Sequence, residues 1–460
     1  MRRFLILILI LAFGQSACLP ALSEATPTST GDLPALPDTW TPEPSAAPSS
    51  TAATRQRPTA SSTPTQIPAE PTEPPIVPTS FPTLTPFPQE KLSPLRPGEE
   101  LTITEIHMVS EQVGWAFGFQ QQRFQRVLYT ADGGKTWQDR TPVTSITKNP
   151  QLWKKPAGYF FDRNTALVLM PAVSSNPADA AHVVWRTDDA GMTWKSSAPL
   201  PLRNVEPDFL PREFYFINSQ IGWLRVHLGY MMMHDYTNLY FTEDGGRSWT
   251  RIIDPGSNYL QGYHNTGMAF ASLQDGWVTK DNLGATEPVL EQTRDGGRTW
   301  EILSLPSPPG MDWFQLQQSC QTSSPAFPST QVGLLLVNCY PFDAEEGVYD
   351  LDTPSSTLFA TSDWGETWHT YQFPTPVEQL VFVDLQHGFA FGKVHYRTQN
   401  GGADWNRIKS VSWQGDFHFL STQLGWAVAR KGEDVALVKT SDGGLTYQQL
   451  NPDAGYNHQN

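Results

Sequence analysis

An eight-residue box recurs seven times along this chain, and that repetition constrains the fold more than any other feature. The first copy is Thr130-Ala131-Asp132-Gly133-Gly134-Lys135-Thr136-Trp137. Later copies start at Thr187, Thr242, Thr293, Thr361, Thr398 and Thr440, at spacings of 57, 55, 51, 68, 37 and 42 residues. The sixth carries Asn400 and Asp404 in place of Asp and Thr/Ser, and the seventh ends in Tyr447 rather than Trp. A second motif precedes the boxes: a Phe or Met, a polar turn, then Gly-Trp. Phe419 to Trp426, Phe270 to Trp277, Phe216 to Trp223 and Met108 to Trp115 show it, and Phe382 to Phe389 has Phe in the Trp slot. A period of this length marks a supersecondary unit that cannot bury its apolar face alone and must stack on its neighbours.

Each repeat spells four strands. Strand A is apolar and ends at the Phe. Strand B starts at Gly-Trp, strand C runs into the box, the box is the C–D turn, and strand D begins at its Trp or Tyr. In Asp-Gly-Gly the glycines permit positive φ and the carboxylate accepts hydrogen bonds from turn amides. Asp132, Asp189, Asp244, Asp295, Asp363, Asn400 and Asp442 are therefore structural turn residues, since seven equivalent turns cannot all be one active site. Four-stranded antiparallel blades in series predict an all-β chain whose residues 99–455 form a seven-bladed β-propeller. All seven repeats carry strands A to D in order, so the sequence gives no sign of a strand exchanged between the first and last blades.

The box and its Gly-Trp partner resemble the Asp-box (BNR) repeat proteins, a class that includes sialidases, sortilin-type ectodomains and xyloglucan hydrolases. Within that class the paired spacing is most similar to the photosystem II assembly/stability factor family. The resemblance covers about Leu101 to Asn451 and implies a propeller. Its motifs speak for the fold and not for an activity, because every matching position is structural. The implied function is a non-enzymatic binding or assembly-type scaffold. The alternative from the same class is an exported glycoside hydrolase, sialidase-like or xyloglucanase-like. No Arg-Ile-Pro motif of the sialidase kind occurs. A xyloglucanase needs only two carboxylates, and acidic residues are plentiful here.

The N-terminus supplies an address. Met1-Arg2-Arg3 is a positive n-region and Phe4 to Phe13 an apolar stretch too short to cross a bilayer comfortably. Gly14-Gln15-Ser16-Ala17-Cys18 resembles the lipobox of bacterial lipoproteins, with Gln15 where Leu is usual. The resemblance implies removal of residues 1–17 as a signal peptide and lipid attachment to Cys18. Cleavage after Ala17 without lipidation is the other route, to a soluble exported chain. Residues 18–98 hold all 19 prolines found between Leu19 and Glu99, among Thr and Ser, and are expected to be a disordered Pro/Thr/Ser-rich tether. The lipoprotein-like N-terminus and this tether point to a surface protein rather than a photosynthetic one. Membrane contact is expected only through the anchor, and the propeller is expected to be a monomer.

Composition excludes some partners. A formal net charge of -15 argues against nucleic-acid binding, which needs a basic surface. The histidines form no metal signature, and neither metal nor cofactor is expected. His107 and His418 occupy one slot in repeats one and seven and read as scaffold. Cys320 lies seven residues before Phe327 and Cys339 six after Gly333. If strands A and B turn between Phe327 and Gly333, the two cysteines oppose each other within about two residues, and an oxidising compartment predicts a Cys320–Cys339 disulfide.

The working surface is expected on the edge opposite the boxes. Box turns are short and uniform, whereas B–C and D–A connections vary. The long ones are Pro171 to His182, Val226 to Asn238, Tyr340 to Thr357, Pro142 to Gly158, Ala198 to Arg212, Asp254 to Gly267 and Leu305 to Trp313, read as loops of blades two to five. They contain Tyr230, Met232, His234, Tyr236, Tyr259, Tyr263, His264 and Trp313, and the acidic run with Asp343, Glu345 and Glu346. Variable segments on a rigid scaffold commonly carry function. These residues are the candidate contacts for a protein or glycan partner.

Overall fold

The chain divides into two units, Met1–Pro82 and Thr83–Asn460. The computed structural model describes residues 95–120, 125–142, 156–170, 183–201, 210–231, 234–253, 260, 264–281, 287–310, 318–343, 348–351 and 353–455, all within the second unit. Cys18 and the expected tether up to residue 94 lie outside the described residues.

Seven four-stranded antiparallel blades follow one another in chain order. Strand A of blades one to seven is Thr102–Met108, Ala157–Phe160, Leu210–Phe216, His264–Phe270, Gln318–Thr322, Gln379–Phe382 and Gln414–Phe419. Strand B is Gly114–Phe119, Ala166–Leu169, Gly222–Met231, Gly276–Asp281, Gly333–Asp343, Gly388–Phe391 and Gly425–Lys431. Strand C is Arg126–Thr130, Trp185–Thr187, His234–Thr242, Val289–Thr293, Ser355–Thr361, Val394–Thr398 and Asp434–Thr440. Strand D is Thr136–Asp139, Lys195–Ser196, Thr250–Ile253, Glu301–Leu303, His369–Gln372, Asn406–Ser410 and Gln448–Leu450. Outside blade one, strand D starts just after the box aromatic rather than on it, because that ring is tucked under the turn.

The box explains why each C–D turn forms where it does. In the third copy the Thr242 hydroxyl donates to Asp244 Oδ1 (2.8 Å) and accepts from the Gly246 amide (2.9 Å). Asp244 then accepts from the Ser248 amide (2.9 Å) and hydroxyl (2.6 Å). Trp249 closes the turn by donating its indole N–H to the Gly246 carbonyl at 3.1 Å. The sixth box keeps this wiring with its roles reversed: the Asn400 amide donates to Asp404 Oδ2 at 2.9 Å, where elsewhere a hydroxyl donates to an aspartate. The fourth box position needs a left-handed backbone, and Gly supplies it in most copies, while Ala190 and Trp364 take φ of 60° and 65° without that freedom. In blades one, three, four, six and seven the amide of this position donates to a Gln carbonyl of the A–B turn, so both turns share one edge.

Apolar burial runs between blades rather than within them. Seven hydrophobic clusters fill the seven seams, the last joining Trp426, Val428 and Leu437 of blade seven to Ile103, Met108 and Trp137 of blade one. The ring is therefore closed. Trp426 donates its indole N–H to the Gly133 carbonyl at 3.2 Å, and Arg430 donates to the Thr104 carbonyl at 2.9 Å. The rings of His107 and His418 lie 4.6 Å apart across the same seam. A short C-terminal strand, Asp453–Ala454, then pairs in parallel with Thr136–Trp137 and latches both chain ends onto blade one. Gly98 donates to the Ala454 carbonyl, and Ala454 to that of Glu99, at 2.9 and 3.1 Å. This latch was not legible in the repeats because it lies after the last box.

Candidate functional site

The edge opposite the boxes is where the blades differ. Strand B of blades three and five is 10 and 11 residues long, against four to seven in the others. Val226 to Asn238 is accordingly not a loop. Its ladder continues through Val226↔Asn238 and Gly229↔Tyr236 to Met231↔His234. The alternation holds from Trp223 to Leu228: Leu224, Val226 and Leu228 pack towards blade two while Trp223 packs towards blade four. A bulge at Gly229, with φ 139°, lets the hairpin run on. Tyr340 to Thr357 is likewise largely hairpin: Phe342 and Asp343 pair with Tyr349 and Val348, and Cys339 with Ser355.

The candidate contacts are distributed along this edge. Tyr230 and His234 sit on the blade-three hairpin, at ladder positions opposite Asp235 and Met231. Tyr236 is half-buried against the seam of blades two and three. His264 opens strand A of blade four opposite Asp281, and its ring lies 6.4 Å from that of His227. Asp343 is exposed on the blade-five hairpin. Met232, Tyr259, Tyr263, Trp313, Glu345 and Glu346 lie outside the described residues.

Beneath this edge the seam of blades three and four is polar. Lys280 and Glu291 form an ion pair at 2.8 Å with side chains 0% and 2% exposed. Arg225 donates to Glu213 (2.8 Å) and to the Asn265 carbonyl (2.8 Å), and the Asn265 side chain donates to the Thr237 hydroxyl (3.2 Å). Burial pushes the Glu291 carboxyl up, and Lys280 opposes the shift. Sequence reasoning missed Arg225, Lys280 and Glu291. The signal was present in the repeats: three residues after the strand-B glycine, Arg225 stands where the chain elsewhere has Phe117, Leu336, Phe391 and Val428.

The next seam is polar as well. Asp281 pairs with Gln321 of blade five and its Oδ2 accepts from the Gln321 amide at 3.1 Å, while Oδ1 is buried without a hydrogen-bond partner. Burial raises the Asp281 carboxyl above the usual carboxylate range. Tyr340, opposite Ser319, is raised by burial and by the charges of Asp281 and Glu378. Cys320 and Cys339 are direct cross-strand partners, Cα–Cα 4.0 Å, and are joined by a disulfide. Other carboxylates face bases, as Asp139 faces Arg126 and Glu213 faces Arg225. Among the described residues no group of three or more His, Cys, Asp or Glu is placed to hold a metal ion.

Comparison with known proteins adds likeness of fold. No family model matches the chain, and no curated protein matches it. Among solved structures it is similar to YCF48 bound to D1 peptide, at 15% identity and TM-score 0.46, covering 77% of this chain and 98% of that one. It is similar to the polysaccharide lyase Uly1, at 11% identity and TM-score 0.48, covering 74% and 90%. It is also similar to the α-L-arabinofuranosidase Arb93A of Fusarium graminearum, at 11% identity and TM-score 0.41, covering 64% and 94%. Likenesses this distant say nothing about ligand or reaction, and these proteins include both binders and enzymes.

Proposed function

We propose that this chain is an exported, lipid-anchored, non-enzymatic scaffold of the assembly-factor kind, which binds a protein or glycan partner through the B–C/D–A edge of blades three to five. The observation that carries the reading is the contrast between edges. On the box edge the repeated turn chemistry engages the Thr, Ser and Asp side chains in the turns themselves, although Met192, Leu273, Leu385 and Leu445 stay exposed there. On the opposite edge blades three and five extend hairpins beyond their sheets. Substituting Tyr230 and Tyr263 with Ser should abolish partner capture and leave the melting temperature nearly unchanged, whereas adding Tyr236→Ser also removes packing at the seam of blades two and three and should lower it. Intact capture, or capture lost only in Asp244→Ala, moves the site to the other edge. Labelling with a radioactive fatty acid tests the anchor: label that survives Cys18→Ser refutes it.

One observation favours a hydrolase as the second reading. Asp281 is a half-buried carboxyl, raised by burial, with one oxygen unengaged. A carboxyl raised by burial is of the kind that a glycosidase uses as its acid. A screen on labelled glycans separates the readings. Cleavage that disappears in Asp281→Asn establishes the enzyme, and binding without cleavage establishes the scaffold.

A further inference from the structure

We propose that the B–C hairpin of blade five is a docking arm for a cationic, amphipathic segment of a partner protein. This rests on the reading of the B–C/D–A edge as the working face and names what that face takes.

The arm is ordered by its own contacts. Strand B of blade five pairs with strand A only as far as Pro341. Beyond that, Phe342 and Asp343 pair with Tyr349 and Val348, and the Asp350 amide donates back to the Pro341 carbonyl at 2.9 Å. The rings of Phe342 and Tyr349 meet edge to face, centroids 5.3 Å apart. Asp350 also accepts from the Thr353 amide and hydroxyl. A two-stranded ribbon held in this way keeps its side chains in place without help from a seam.

Those side chains are apolar and open. Val348 is 52% exposed and Leu351 69% exposed, and neither belongs to any of the seven seam clusters. Single exposed apolar residues are ordinary, but two on one short ribbon, beside an aromatic pair, form a patch of the kind that interaction sites present.

Charge selects the occupant. No Lys or Arg lies between Arg298 and Lys393, a run holding 11 of the chain's 46 acidic residues. All of blade five falls inside it, and Asp343 is exposed on the arm itself. An excess of carboxylates over bases repels nucleic acid and anionic lipid and steers cations. A neutral apolar partner would desolvate the carboxylates without pairing them. A segment alternating basic and aliphatic side chains fits both features: its aliphatic residues cover Val348 and Leu351 while its cations meet the acidic rim.

The test uses the full exported chain and a short labelled peptide alternating Lys and Leu, with Lys–Ser and Glu–Leu peptides as controls. The expected result is binding of Lys–Leu that weakens at least about ten-fold in Val348→Ser/Leu351→Ser and in Asp343→Lys, at unchanged melting temperature. Both control peptides should bind at least about ten-fold more weakly than Lys–Leu. Absence of Lys–Leu binding, equal binding of Lys–Ser, or equal binding by the arm variants overturns the proposal. His264→Ala separates this from the wider reading. Peptide binding lost there but kept in the arm variants removes the arm and leaves the edge as the working face.

Discussion

The two edges of the propeller are built from the same strands and solve the same problem differently. At the box edge most of each turn's wiring is its own, although box carbonyls also accept from neighbouring blades, as Gly133 does from Trp426 and Gly296 from Trp223. Asp132 accepts from residues three and four positions away, and Thr130 from residues two and four away. At the opposite edge the partners are remote: Arg225 reaches Asn265, 40 residues on, and Asp281 reaches Gln321, another 40 on. Local wiring repeats with the sequence and occupies the polar side chains of each turn. Remote wiring depends on which blades meet, so it differs from seam to seam and can diverge towards function.

Removing one partner of the buried ion pair, which joins strands B and C of blade four, should have the largest effect. Lys280→Met strands Glu291 at 2% exposure without its base. Breaking a buried pair in this way costs about 3–5 kcal/mol, whereas replacing both members by apolar groups is often neutral or stabilising by about 1–4 kcal/mol. Chemical denaturation should therefore show a large loss for Lys280→Met and its recovery in Lys280→Met/Glu291→Leu. A double variant as unstable as the single one would mean that the polar seam holds the blades together in its own right.

The box edge predicts a smaller and strictly local coupling. Asn400→Asp alone sets two carboxylates against each other where the Asn400 amide now donates to Asp404. The loss should be about 1–2 kcal/mol, the scale of a buried or charged hydrogen bond. Adding Asp404→Thr restores the arrangement of the other copies and should recover most of it. Additive losses in that cycle would show that the wiring of the sixth box is incidental.

Acid should act on both sets in sequence. Burial, aided by the charge of His418, holds His107 down to about 3, and burial beside Lys409 holds His395 down to about 4. These rings are neutral in the fold, so the unfolded chain takes up protons first, and stability declines as pH falls from about 6.5 towards those values. The box carboxylates respond lower. The hydroxyl and amide of Thr367 hold Asp363 down to about 2, and those of Thr446 lower Asp442. Their contribution is full above the ordinary carboxylate range near 4 and is lost as pH falls through the lowered values. Melting temperature followed against pH should fall in two stages, and Asp442→Asn should blunt only the lower one.

The same division decides what could be read from the sequence. Blade number, strand order and the Cys320–Cys339 pairing follow from motifs whose contacts are local or lie within one hairpin. The blade-three hairpin reads as a loop because His227, Tyr230, His234 and Asp235 interrupt its hydrophobicity and the bulge at Gly229 shifts its alternation. The polar seam was missed because Arg225 meets Asn265 only once the blades are stacked, and because Lys280 and Glu291, on the paired strands B and C of blade four, stand at positions that no motif marks. The closing latch of Asp453–Ala454 has no repeat to announce it.

The smallest effect probes a box that works against its own turn. Ala190 occupies the fourth position of the second box at φ 60°, where glycine is usual. A left-handed conformation costs an L-residue about 1–2 kcal/mol. Ala190→Gly removes that strain but adds backbone freedom to the unfolded chain, which offsets about 0.4–1 kcal/mol of the gain. The net stabilisation should be about 0.5 kcal/mol, a rise of a degree or so in melting temperature for a propeller of this size. Trp364→Gly should run the other way even though Trp364 carries the same strain, at φ 65°, because its ring packs 5.5 Å from Phe327 and meets Trp277 edge-on. If both glycine variants gain stability equally, those aromatic contacts contribute little and strain alone governs the position. If Ala190→Gly loses stability, the left-handed turn is set by the surrounding blades and not by the residue that occupies it.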